Sequence, residues 1–135
     1  MDTLRFDSLL ADLRDLQSAT AAVDAAAALQ KEATLEDVPR LLDLLKDPSF
    51  FVREAAAWPL SDLGYTDALP ELVQAHCRGT TEGHDNDGLS AAMIDLASMY
   101  PDDAAKVLGV IISNGNTAEV EVAQWLLEFA QQHDV

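Results

Sequence analysis

The chain is short of positive charge. Eight lysines and arginines stand against 24 aspartates and glutamates, for a formal net charge of −16 and a pI near 4.1. The shortage is steepest late in the chain, where residues 79–135 hold ten acids and one base, Lys106. Nucleic-acid affinity rests on lysine and arginine contacts to phosphate, so this balance argues against a nucleic-acid partner. The same field repels an anionic membrane and favours a partner protein with a basic contact face. Solubility alone is the plainer use of such a charge. Cysteine occurs once, at Cys77. An intrachain disulfide is thereby excluded, and a reducing, cytoplasmic setting fits. No apolar run is long enough to span a bilayer. Asp2, Asp7, Asp12 and Asp15 interrupt the first apolar residues, which argues against a secretory leader. Aromatics are only 6% of the chain, and β-branched residues are sparse, which suits a β-sandwich poorly.

What is present is alanine, leucine and helical spacing. Hydrophobic residues make up 49% of 135 residues, enough for one domain, 1–135, with its own core. Leu4, Leu9, Leu10, Leu13 and Leu16 are spaced for one face of a first helix, 3–15. An alanine-rich second helix spans 18–33, with Ser18 or Thr20 as its cap. Val38, Leu41, Leu42 and Leu45 mark a third, starting after Thr34 and running to 46, with Pro39 in its first turn. Ser49 caps a fourth, which ends near Leu63 with Gly64 as a left-handed stop. A fifth is predicted over 66–78 and a long loop over 79–88. The sixth and seventh cover 89–100 and 101–113. Asn114-Gly115-Asn116 is a turn, and Thr117 caps an eighth helix reaching about His133.

These helices pair into four units of a period typical of helical repeat arrays. A shift of 36 residues lays Ala91-Ala92 on Ala55-Ala56, Leu96 on Leu60 and Asp103 on Asp67. A shift of 67 lays Val122-Ala123 on the same alanine pair. Within the pattern, the run from Val52-Arg53-Glu54-Ala55-Ala56 through Leu63-Gly64 to Asp67-Ala68-Leu69-Pro70-Glu71-Leu72 resembles HEAT-like repeats of the phycobilin-lyase type. The resemblance covers residues 36–72. It implies an all-α, right-handed α-solenoid of about four helix pairs that works by presenting a surface. It also implies that Arg53 pairs with Asp47 in the preceding turn. Pro59 and Ser61 depart from the pattern, standing where alanine and glycine are usual. Pro59 removes the bond to the Ala55 carbonyl and predicts a kink. That carbonyl is then either open to a partner or simply tolerated.

The chain offers little for chemistry. In an EF-hand frame, Asp85, Asp87 and Gly88 take three places, but Gly83 and Ile94 fall where the essential carboxylates belong. His76, His84 and His133 contain no i,i+4 pair for zinc. His76 and Cys77 are adjacent and point about 100° apart on a helix, so they form no nucleophile–base pair. No phosphate loop or nucleophile elbow is present. The sequence therefore points away from an enzyme and from any cofactor or metal.

A candidate binding surface remains. Trp58, Ile94 and Trp125 occupy one repeat position under the two shifts. They form either an apolar stripe on the second helices or core contacts in a rotated register. The loop acids Glu82, Asp85 and Asp87 either flank that surface or belong to a mobile acidic turn. The leading function is a small acidic binding protein of the immunity type, neutralising a basic partner such as a toxin. A phycobilin-lyase-like scaffold or chaperone subunit is the alternative.

Overall fold

A computed structural model describes residues 1–131, and these are almost wholly helical, with no strand among them. Eight α-helices follow in order: α1 (Thr3–Leu13), α2 (Ala19–Glu32), α3 (Val38–Leu44), α4 (Phe50–Asp62), α5 (Leu69–Thr81), α6 (Asp87–Met99), α7 (Pro101–Asn114) and α8 (Thr117–Gln131). Short 3-10 turns, Leu35–Asp37 and Thr66–Ala68, lead into α3 and α5. The all-α class expected from the sequence is the class found. The helices divide into two compact units. The first, Met1–Leu63, holds α1–α4, and the second begins at Gly64 and holds α5–α8.

In the first unit, Asp2 caps α1, accepting from the Arg5 N–H at 2.7 Å. The buried face of α1 is Phe6, Leu9 and Leu13. Leu4 and Leu16, assigned to that face from spacing, are 84% and 98% exposed. Leu4 lies roughly opposite Leu9 at 100° per residue, and Phe6 takes the inward place. Leu16 would have pointed inward had the helix continued, but α1 stops at Leu13. Ser18 caps α2 as expected, accepting from the Ala21 N–H at 3.1 Å. Ala22, Ala25 and Leu29 are buried, and α2 packs against both α1 and α4. Thr34 and Asp37 form a capping box ahead of α3, where Pro39 costs no hydrogen bond.

Ser49 caps α4, its hydroxyl accepting from the Val52 N–H at 3.4 Å. Val52, Ala55, Ala56 and Leu60 are 0–5% exposed. Leu63 is only half-buried, because it lies beyond the last residue of α4. Small side chains at these places let α4 approach α2 and α3 closely. The helix runs through Pro59 to Asp62, with Pro59 on its buried side. Ala55 is 5% exposed, so the carbonyl that Pro59 leaves without its usual donor is not offered to a partner on an open surface.

In the second unit, Gly64 takes the left-handed conformation expected of it, φ +68°. The fifth helix runs three residues further than predicted, and Gly79, expected to open a loop, is buried within it. The sixth starts at Asp87, two residues early. The predicted long loop 79–88 therefore shrinks to 82–86, no longer than the connections 14–18 and 45–49. Asp87 is in the first turn of α6, not its cap, and its N–H donates to the Asp85 carboxylate at 2.8 Å. The cap of α8 is Asn116 rather than Thr117. Asn116 accepts from the Glu119 N–H at 2.9 Å, and the Glu119 carboxylate accepts from the Asn116 N–H at 3.0 Å. The predicted end of α8 near His133 lies outside the described residues. The core of this unit joins Leu72, Val73, Leu89, Met93, Leu108 and Leu126, all fully buried.

Two stability outcomes follow. Ala56 is completely buried, so Ala56→Leu should overpack the contact and cost about 1–3 kcal/mol in denaturant melts. A Cβ on Gly64 would meet the Tyr100 ring at 2.6 Å. Gly64→Ala should cost about 1–3 kcal/mol from the positive φ and the clash together. In a Tyr100→Ala background the penalty should shrink without vanishing, since only the clash is relieved.

Candidate functional site

The residues marked out by the sequence fall on three helices and one turn. Trp58 is on α4 of the first unit, and Ile94 and Trp125 are on α6 and α8 of the second. All three are half-buried. Neither core packing alone nor full exposure describes them, and the shared state fits their shared repeat position. Within the second unit, Trp125 stands in an aromatic cluster. Its ring centroid is 5.8 Å from that of His76, and Phe129 meets it edge-on at 5.6 Å and 84°. Such pairs anchor a ring while leaving part of it open. His76 shares a hydrogen bond with the Ser90 hydroxyl at 3.1 Å. Ile94 lies one helical turn beyond Ser90 on the same side of α6.

Glu82, Asp85 and Asp87 are exposed. Glu82 also pairs with Arg78, four residues earlier on α5, at 2.9 Å, and Asp85 orders the start of α6. These acids are therefore partly engaged in shaping the connection they occupy. Their charge still faces solvent. Asn86 ties the connection back to α5, donating to the His76 carbonyl at 3.1 Å and to the Thr80 hydroxyl at 3.0 Å.

Two titratable groups of the second unit are shifted by their surroundings. Burial lowers the pKa of His76. Burial raises that of the Cys77 thiol, and the Glu119 and Glu121 carboxylates raise it further. A reactive cysteine needs the opposite surroundings. No cluster of three metal-ligating side chains occurs among the described residues. No helix among them is long and apolar enough to cross a membrane.

Arg53, expected to pair with Asp47, is fully buried and reaches that residue through its backbone. Its Nη1 donates to the Asp47 carbonyl at 2.9 Å and to the Pro48 carbonyl at 3.2 Å. The Asp47 carboxylate binds Arg14 and accepts from the Ser49 N–H at 2.9 Å. Arg53 is thus structural, as expected, with carbonyls as its acceptors. A second buried group, Asp37, holds Arg40 and lies 3.5 Å from the Met1 amino group. Arg40 also stacks 4.4 Å from the Phe6 ring centre. The spacing of residues gave no sign of this cluster, because its partners come from α1, a 3-10 turn and α3.

Within each unit two helix pairs pack on one another, with buried alanines at corresponding repeat positions, the arrangement of an α-helical repeat protein. The profile of the family described as HEAT repeats matches residues 7–81, more than half of the chain. The chain belongs to the HEAT-repeat family. No curated protein and no solved structure matches it. HEAT repeats serve as protein-interaction scaffolds, and that is the coarse function of this chain.

The Asp37 cluster sets a pH dependence. Burial on its own would raise the Asp37 pKa. Hydrogen bonds from the Thr34 N–H and from Arg40, with the nearby positive charges, outweigh burial and hold it below the ordinary value. A depressed folded-state pKa means that the stabilisation is complete above the ordinary range, about pH 4. It is lost as pH falls through the folded value. Asp37→Asn should lower Tm at neutral pH, and its deficit relative to the native chain should narrow as melts are taken below about pH 4.

Proposed function

We propose that this protein is a non-catalytic binding module that captures a basic partner protein, in the manner of a small acidic immunity protein. The observation that carries the reading is the net charge of −16 on a HEAT-repeat scaffold. HEAT repeats supply the surface. The charge selects what approaches it, because complementary fields raise encounter rates and repel wrong partners. Trp58, Ile94 and Trp125 supply apolar anchors, and Glu82, Asp85 and Asp87 supply part of the acidic rim. Tryptophan is among the residues that most often dominate binding energy. The setting is cytoplasmic, and no cofactor or metal takes part. The second reading is a scaffold subunit like the phycobilin lyases, favoured by the repeat string at residues 52–72. A phycobiliprotein as the identified partner would select it.

The test begins with a partner identified by cross-linking in the native host and purified. Association should slow steeply with ionic strength. Trp58→Ala should weaken binding by about 2 kcal/mol or more, mainly through faster dissociation. Neutralising Asp85 and Asp87 together to asparagine should slow association and flatten its salt slope, with little change in dissociation. A partner with an acidic contact face, or binding indifferent to salt, would overturn the proposal.

A further inference from the structure

An apolar groove opens in the first unit where the turn after α1 faces the turn before α4. It has a volume of about 710 Å³. Leu13 and Ala22 form its floor and are nearly sealed from solvent, whereas Leu16 is 98%, Val23 59% and Phe51 36% exposed. Pro48 completes the wall on the α4 side. Three large apolar side chains therefore stand open around a concave site. Nothing in the packing of the unit requires Leu16 at that place. It sits in a turn, not on a helix face.

The walls are held firmly. Arg14 binds the Asp47 carboxylate across the groove's edge, and the Asp47 and Pro48 carbonyls are anchored by buried Arg53. The site is thus formed in advance, which lowers the ordering cost of binding. Its volume is within the range of concave ligand sites and suits two or three large apolar side chains of one segment.

Charge decides what kind of segment. The first unit, residues 1–63, carries twelve acids and six bases. At the rim, Arg14 is paired with Asp47. The Asp15 carboxylate, which accepts from the Gln17 N–H at 2.8 Å, adds a further negative charge beside the groove. A second copy of this chain would bring another −16 to the contact and be repelled. We propose that the groove docks an amphipathic segment of the partner protein, with large apolar side chains on one face and lysine or arginine flanking them. This rests on the proposed capture of a basic protein, and it names a contact on a different part of the chain from the tryptophans.

Three synthetic peptides of about four helical turns test it. The first has leucine on one face and lysine on the other, the second has serine in place of leucine, and the third has glutamate in place of lysine. Titrations followed by NMR should show the leucine–lysine peptide shifting the amides of Leu13, Leu16, Val23 and Phe51. It should bind at least about tenfold more tightly than the serine–lysine peptide, a difference of 1.4 kcal/mol. The leucine–glutamate peptide should not bind. Leu16→Asp and Val23→Asp alter exposed side chains and should leave Tm unchanged while removing the leucine-dependent tenfold. Shifts centred elsewhere, equal binding of the first two peptides, or binding of the glutamate peptide would overturn the proposal. A concentration-dependent dimer abolished by Leu16→Asp would overturn it in favour of a second copy. With the purified partner the two readings separate. Salt-dependent binding unaffected by Leu16→Asp sinks the groove and leaves the acidic module standing. Salt-insensitive binding sinks the module whatever Leu16→Asp does.

Discussion

A guanidinium buried without water must find acceptors inside the protein, and Arg53 is 0% exposed. Its Nη1 reaches the carbonyls of Asp47 and Pro48, and the Phe50 ring lies 5.5 Å from its centre. This requirement fixes the turn between α3 and α4. Once the turn is fixed, the Asp47 carboxylate is placed to take Arg14 from the end of α1 and the N–H of Ser49. Ser49 in turn caps α4. Three helix ends of the first unit are therefore set by one buried cation. Removing either side would leave a buried polar group without its partner, the costly arrangement in protein interiors.

The close helix contacts depend on that alignment. Ala55, Ala56 and Ala57 are almost fully buried, and small side chains hold only if the facing helices stay close, since a slight separation forfeits dispersion contacts along the whole seam. Ala92 and Ala123 are completely buried in the second unit, the repeat counterparts of Ala56. The apolar interior is thus built largely from alanine and leucine, and the acids are left for the outside. Asp37 and Asp47 are the buried exceptions, and both are matched by arginine. Net self-repulsion opposes a compact chain of this charge, which makes the tight alanine seams and the matched buried acids the terms that offset it.

Helix existence and most caps were legible in the sequence because they depend on neighbours in the chain. Ser18, Ser49 and Gly64 act locally and stand where they were expected. The errors came where a helix end was misplaced by about one turn, in either direction. Leu16 carried helical spacing beyond the end of α1, and Gly79 looked like a breaker although α5 runs through it. Gly79 is tolerated there because it is buried among packed helices, so tertiary contact overrides its weak propensity. The proposed binding surface was less legible. The shared repeat position of Trp58, Ile94 and Trp125 could be read from spacing, and their half-buried state could not. The groove was missed because its walls come from two stretches far apart in the chain, 13–23 and 47–51, and its most exposed residue, Leu16, had been assigned to the core.

The two kinds of surface feature divide the work of recognition differently. Charges act at a distance of about one Debye length, roughly 8 Å in physiological salt. They would guide the proposed basic partner before any contact forms, and so set the rate of encounter. Apolar anchors act only on contact and set how long the complex lasts. A half-buried tryptophan ring already braced by His76 and Phe129 loses little freedom on binding, whereas the exposed Leu16 gives up rotamer freedom when it is covered. An acidic HEAT-repeat chain can therefore combine fast capture with slow release while relying on few apolar contacts, where those contacts include a ring that the fold braces before the partner arrives.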